Sequence, residues 1–158
     1  MDVSPPFRTA RALALAVPAL LLAGAYVSQY GFGLYPCEMC WWQRYPHFAA
    51  VALALLGFVI APQRLWVALA ALAVLVSGVI GLFHAGVEYD WWPGITSCAA
   101  IFSEGTGNAL EDIMNTPLVR CDEPAWTLFG ISLAGFNFLI STAAGLAILV
   151  LLGKDRAA

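Results

Sequence analysis

Four apolar runs restrict this chain more than any other feature. A helix needs about 20 mostly apolar residues to cross the hydrocarbon of a bilayer, and three runs reach that length: Ala10 to about Tyr30, Leu65 to about Val87, and Trp126 to Leu152. None carries a charge away from its ends. The remaining run, PHFAAVALALLGFVIAP, is shorter. A helix from Pro46 to Ala61 would span only about 24 Å, so it is expected to begin a turn earlier, near Trp42, with Pro46 accommodated in its first turn. Composition agrees, because 61% of the 158 residues are hydrophobic and 11% are charged, where soluble domains carry roughly 25% charge. The expected fold is an all-α integral membrane protein, an antiparallel four-transmembrane-helix bundle forming one domain over residues 1–158 with no linker or internal repeat.

Cytoplasmic loops carry the excess of Lys and Arg. With both termini inside, Arg8, Arg11, Arg64, Lys154 and Arg156 fall on the inner side and only Arg44 and Arg120 on the outer. Trp41, Trp42, Trp91, Trp92 and Trp126 fall at the outer ends of the spans, as an interfacial aromatic belt requires. All four cysteines then lie on that outer side, near one plane. A cleaved leader, with Ala23-Gly24-Ala25 as its processing site, is the competing reading of the N-terminus; it would leave the cysteines outside all the same. No basic patch points to nucleic acid.

The segment LYPCEMCWWQR holds Cys37 and Cys40. Attachment of c-type haem needs a histidine directly after such a pair, and Trp41 stands there instead. Structural zinc usually takes four ligands, often from two such pairs, but Cys98 and Cys121 are isolated in sequence, so no metal is expected. As a structural staple, so short a ring constrains little of the unfolded chain. A redox pair remains. Its reactive form, the thiolate, is favoured beside a cation or a helix N-terminus. Arg44 lies four residues after Cys40, on the same face of a helix, and an arginine at a membrane boundary is a functional candidate. The bland alternative is an arginine that snorkels to the headgroups.

The second outer loop runs from about Glu88 to Glu123. Within it NALEDIMN has Asn108 three residues before Glu111, a capping-box pattern, and an apolar face of Ala109, Leu110, Ile113 and Met114. This predicts a short helix, lying either on the bilayer surface or against its own loop. Cys98 and Cys121 bracket it. A bridge between them would stabilise by about 3 kcal/mol in the chain-entropy model, so a structural role competes with a redox one, for which Gly105, Thr106, Gly107 and Asn108 supply mobility. In the third span His84 precedes Glu88 by four residues, placing it to contact a polar ligand or Glu88 itself; His47, beside Pro46, is a weaker candidate.

Taken together, Cys-x-x-Cys followed by Gln43-Arg44, HAGVEYDWWPGITSC closing the third span and CDEPAWTLFGISLAGFN opening the fourth resemble the DsbB family of membrane disulfide-bond formation proteins. The resemblance covers essentially the whole chain. It implies a thiol:quinone oxidoreductase of the bacterial inner membrane with cytoplasmic termini and periplasmic cysteine loops. By similarity, a reduced DsbA-like thioredoxin-fold protein would attack Cys98, and release of the oxidised partner would leave Cys98 and Cys121 reduced. Electrons would then reach the Cys37–Cys40 disulfide through a transient Cys37–Cys121 bridge. The Cys40 thiolate would face ubiquinone or menaquinone, with Arg44 and His84 as further quinone-binding residues. One departure is Gln43, where the best-known family member has an acidic residue before the arginine, so a proton-handling role for that position does not carry over. In vitamin K epoxide reductase-type enzymes the Cys-x-x-Cys comes late, whereas here it comes early. From a different class, a membrane assembly protein with two structural disulfides would show bonds that resist mild reductant.

Overall fold

The computed structural model describes residues 4–96, 99–100 and 118–157. The expected loop helix around Asn108, its flanking glycines and Cys98 lie outside them. Ser4 caps the first helix, α1 (Pro5–Gly31), by accepting from the Phe7 N–H at 3.3 Å, and Pro5 and Pro6 occupy the first turn, where no intrahelical donor is lost. α2 (Glu38–Val59) starts directly after Cys37, one turn earlier than expected. Pro46 therefore sits in the helix interior rather than its first turn. Local adjustment and neighbouring helices make an interior proline tolerable in apolar surroundings.

α3 (Gln63–Glu88) follows after a short turn and ends on a left-handed residue. Asp90 has φ 58°, with its N–H bonded to Val87 and the Trp91 N–H bonded to Gly86. That pairing satisfies the last carbonyls of the helix. It folds Trp92 back, so that the indole stacks on Phe83 at 5.9 Å and donates to the Phe83 carbonyl at 2.9 Å.

The last helix, α4 (Leu133–Ala157), begins later than the apolar run from Trp126 suggests. Residues before it form a hairpin, β3 (Thr127–Leu128) with β4 (Ile131–Ser132), in addition to the short pair β1 (Ala99–Ala100) with β2 (Leu118–Val119). Phe129 and Gly130, with φ 53° and 77°, make the tight turn, a backbone whose twist matches a two-residue hairpin. The Tyr89 hydroxyl pins it, donating to the Gly130 carbonyl at 2.9 Å and accepting from the Ser132 N–H at 2.8 Å. Ser132 then caps α4 through Gly135.

Among the described residues four helices pack together, α1 and α3 each lying between α2 and α4. α1, α3 and α4 are long and apolar enough to cross a membrane, and the chain is a multi-pass membrane protein. α2 has 22 residues but interrupts its apolar surface with Gln43, Arg44 and His47. Between apolar helices in lipid, close van der Waals approach does much of the work that hydrophobic burial does in water. Gly78 and Gly81 provide that approach on α3: a methyl group there would stand 2.8 Å from Thr142 and 3.0 Å from the Ala134 carbonyl, respectively. One apolar core, built from residues such as Phe7, Ala14, Val67 and Ile148, fills the end remote from the cysteines, and Cys37, Met39, Val87 and Cys121 fill the other.

Candidate functional site

Cys37 is the N-cap of α2, and its sulfur accepts from the Cys40 N–H at 3.3 Å. Spacing of three residues thus puts both sulfurs over the first turn, where unpaired amide groups favour negative charge. The Cys37 thiol donates to Cys40 Sγ at 3.0 Å. That hydrogen bond, followed by burial, holds the proton on Cys37 and raises its pKa.

On the other side of Cys37 stand residues from two further segments. His84 Nε2 lies 3.5 Å from Cys37 Sγ, and the ligating atoms of Cys37, His84 and Cys121 all fall within 4.8 Å of one another, each residue buried. Cys37 is therefore flanked by a sulfur from its own helix and one from the segment leading to the hairpin. Gln43 fixes the histidine: its amide nitrogen stands 2.8 Å from His84 Nδ1. An amide nitrogen only donates, so Nδ1 is the acceptor and Nε2 carries the hydrogen toward the sulfur. The Cys121 backbone carbonyl and Glu88 Oε1, the latter at 3.7 Å from Nε2, are further neighbours of that N–H.

Arg44 does not reach out to the headgroups. It is 6% exposed, donates to Gln29 Oε1 at 2.7 Å and the Ala25 carbonyl at 3.3 Å, and lies over the rings of Trp41 and Tyr26 at 4.9 and 5.1 Å. The end of α1 thus holds the guanidinium inside the bundle. Beside it a cleft of about 260 Å³ opens between α1, α2 and α4, with Cys40, Gln43, Arg44, His47 and Asn137 on its polar wall and leucines from α1 on the other. A separate cavity of about 310 Å³ joins Cys37, Cys40, His84 and Glu88 to the segment around Arg120. Cys40 lines both cavities, whereas His84 lines the one that Arg44 does not. The structure thus brings Cys37, Cys40, Cys121 and His84 together and sets Arg44 on the far side of Cys40; Cys98 lies outside the described residues.

Sequence reasoning ranked His47 as a weaker candidate and gave Asn137, Ser77 and Ser141 no part in the site. Asn137 donates to Gln43 Oε1 at 2.8 Å and accepts from Ser141 at 2.8 Å, while His47 Nε2 meets Asn137 Oδ1 and Ser77 Oγ, both at 2.9 Å. The signal was present: Cys40, Arg44 and His47 follow i, i+4, i+7 spacing on one helical face, and buried polar side chains within a span mark function by default.

Comparison with known proteins gives the family. The family model described as Disulfide bond formation protein DsbB matches residues 7–151. A protein named Disulfide bond formation protein B from Verminephrobacter eiseniae is 31% identical over 156 residues, covering 94% of this chain and 87% of the relative. Its namesake from Polaromonas sp. is likewise 31% identical over 156 residues, covering 94% and 92%. Disulfide bond formation protein B 2 from Pseudomonas syringae pv. syringae is 32% identical over 142 residues, covering 84% and 79%. No solved structure matches the chain. With a family match running from the first turn of α1 almost to the end of α4, this multi-pass membrane protein belongs to the DsbB family of disulfide bond formation proteins.

Proposed function

We propose that the chain is a thiol:quinone oxidoreductase of the bacterial inner membrane. It crosses the bilayer four times as one domain, keeps both termini in the cytoplasm, and turns a DsbA-like periplasmic thioredoxin-fold protein back to its disulfide form. The observation that carries this reading is the position of Cys37, with Cys40 Sγ 3.0 Å away and the Cys121 sulfur within 4.8 Å. A sulfur between two others can exchange one bonding partner for another with little movement, which a structural bridge does not need.

The transfer balances as four thiol–disulfide exchanges, two for each disulfide passed on. A thiolate of the partner attacks Cys98 of a Cys98–Cys121 disulfide, forming a mixed disulfide and releasing Cys121 as thiolate. The partner's second thiolate then displaces Cys98, leaving the partner oxidised and Cys98 and Cys121 reduced. Cys121 next attacks Cys37 of the Cys37–Cys40 disulfide, which frees Cys40 as a thiolate at the cleft. Cys98 closes again on Cys121 and releases Cys37, so that the pair at the helix N-terminus now holds both electrons. His84 Nε2–H, aimed at Cys37 by Gln43, steadies negative charge on that sulfur as it leaves.

The cleft suits a quinone ring. Its apolar wall and lipid-facing position match a ring with an isoprenoid tail, and a single buried cation stands at its cysteine end. A ubiquinone or menaquinone bound there supplies an acceptor for two electrons and two protons. Arg44, held in place by the Trp41 and Tyr26 rings, would donate to an oxygen of such a ring. Each 30 mV of potential between donor and acceptor in a two-electron transfer is worth about 1.4 kcal/mol, so the quinone pool can draw the sequence forward even through an uphill internal exchange.

The reading is tested by trapping the internal bridge. In a Cys98→Ser variant the Cys121 thiolate can attack the Cys37–Cys40 disulfide and no Cys98 remains to release it, so non-reducing peptide mapping should find Cys37 joined to Cys121. Cys37 recovered only in its bond to Cys40, with Cys121 a free thiol throughout, would overturn the internal relay.

A further inference from the structure

The relay uses the cleft as far down as Arg44 and leaves the buried group beneath it without a task. His47 is 3% exposed and lines the cleft one turn below Arg44. At the helical rise of 1.5 Å per residue, its Cα stands about 4.5 Å deeper than that of Arg44 and about 10 Å deeper than that of Cys40. A ring with one oxygen beside Arg44 and Cys40 points its opposite oxygen toward this level.

Hydrogen bonding fixes what His47 can offer there. The Asn137 amide nitrogen donates to Gln43 Oε1 at 2.8 Å and to the Ser77 carbonyl at 3.1 Å. Its oxygen, which only accepts, therefore faces His47 Nε2 at 2.9 Å and also takes the Ser141 hydroxyl at 2.8 Å. The Ser77 hydroxyl is committed to the Gln43 carbonyl at 2.9 Å. Nε2 must carry the hydrogen, and in a neutral imidazole the other nitrogen then presents a lone pair. Nδ1 is buried and has no hydrogen-bond partner. Four side chains from α2, α3 and α4 thus fix His47 against the lower end of a ring-sized cleft, with Nδ1 an unfilled acceptor covered by its neighbours.

We propose that His47 is a hydroxyl-recognising residue at the deep end of the cleft, its Nδ1 accepting a hydrogen bond from the distal hydroxyl of a reduced, diphenolic ring. A carbonyl oxygen at the same place brings no hydrogen and leaves Nδ1 unfilled, and a site built around a hydroxyl rejects the analogue that lacks it. The cleft then holds the two-electron-reduced ring more tightly than the oxidised one, which draws electrons from Cys37 and Cys40. This inference rests on the reading of the cleft as a quinone site.

The test measures binding rather than turnover. In a Cys40→Ser background, which blocks electron exchange, a short-chain ubiquinone and its quinol are titrated separately onto the detergent-solubilised protein, with tryptophan quenching as readout. The parent should bind the quinol about tenfold more tightly than the quinone. His47→Leu should erase that preference, with quinone affinity held within about twofold, which also reports an intact cleft. Asn137→Leu, which frees the imidazole to exchange tautomers, should narrow the preference as well and serves where His47→Leu fails to fold. A parent that binds both rings equally, or a preference that survives both substitutions, overturns the inference while the cleft reading stands. A parent that binds neither ring overturns both.

Discussion

Gly81→Ala and Gly24→Ala make the same chemical change in two helices and should have opposite effects. A Cβ at Gly81 would stand 3.0 Å from three atoms of α4: the Ala134 carbonyl oxygen, the Asn137 side-chain nitrogen and the Phe138 amide nitrogen. Two of these belong to backbone and cannot rotate away, so α3 and α4 must separate by a few tenths of an ångström. Overpacking of this kind costs about 1–3 kcal/mol. Alanine recovers about 0.5–1 kcal/mol of helix propensity, leaving a net loss of roughly 0–2.5 kcal/mol. At Gly24 nothing lies within 4 Å of the added methyl, so only the propensity gain of about 0.5–1 kcal/mol remains. Reversible unfolding in mixed micelles, following helicity against the mole fraction of dodecyl sulfate, measures both. Gly81→Ala matching or exceeding Gly24→Ala in stability would refute the close α3–α4 approach.

Arg44→Ala removes a buried guanidinium from the cleft and should raise the apparent Michaelis constant for a short-chain quinone by about 10-fold to 100-fold, the range for a lost hydrogen bond to a charged group; an unchanged quinone dependence removes Arg44 from the site. Cys98→Ala should abolish mixed-disulfide capture of the reduced partner on non-reducing gels, and undiminished capture reassigns the first point of attack. Asp122 is paired with Arg120 at 2.6 Å, which holds its carboxyl below the ordinary 3.8. Because the folded pKa is the lower one, the pair's contribution is present above the unfolded pKa and fades as pH falls through the folded one. Carboxyl-labelled NMR should show Arg120→Ala returning Asp122 toward the ordinary value, and a titration that does not move refutes the pairing.

Span hydropathy located the helices because lipid demands long apolar segments and little else. It misjudged their ends where a turn is built from residues that are themselves apolar. Thr127, Leu128, Phe129 and Ile131 read as helix, yet Gly130 and the Tyr89 hydroxyl, 41 residues away in sequence from that carbonyl, turn them into a hairpin. Cys37, Cys40 and Arg44 were legible from local spacing. That Cys121 and His84 close on Cys37 is a tertiary fact with no local signature. The same holds for Asn137, a lone polar residue in an apolar run that joins Gln43, Ser77, His47 and Ser141 across three helices.

The most direct measurement mixes the purified, detergent-solubilised protein with a reduced periplasmic thioredoxin-fold protein and a short-chain ubiquinone, and follows quinone absorbance beside a Cys40→Ser control. Rapid loss of the quinone band, matched by one new disulfide in the partner per quinone consumed and absent in the control, is the predicted result. No quinone reduction with ubiquinone or menaquinone, despite a reduced partner and an intact Cys37–Cys40 disulfide, would contradict electron flow through this bundle.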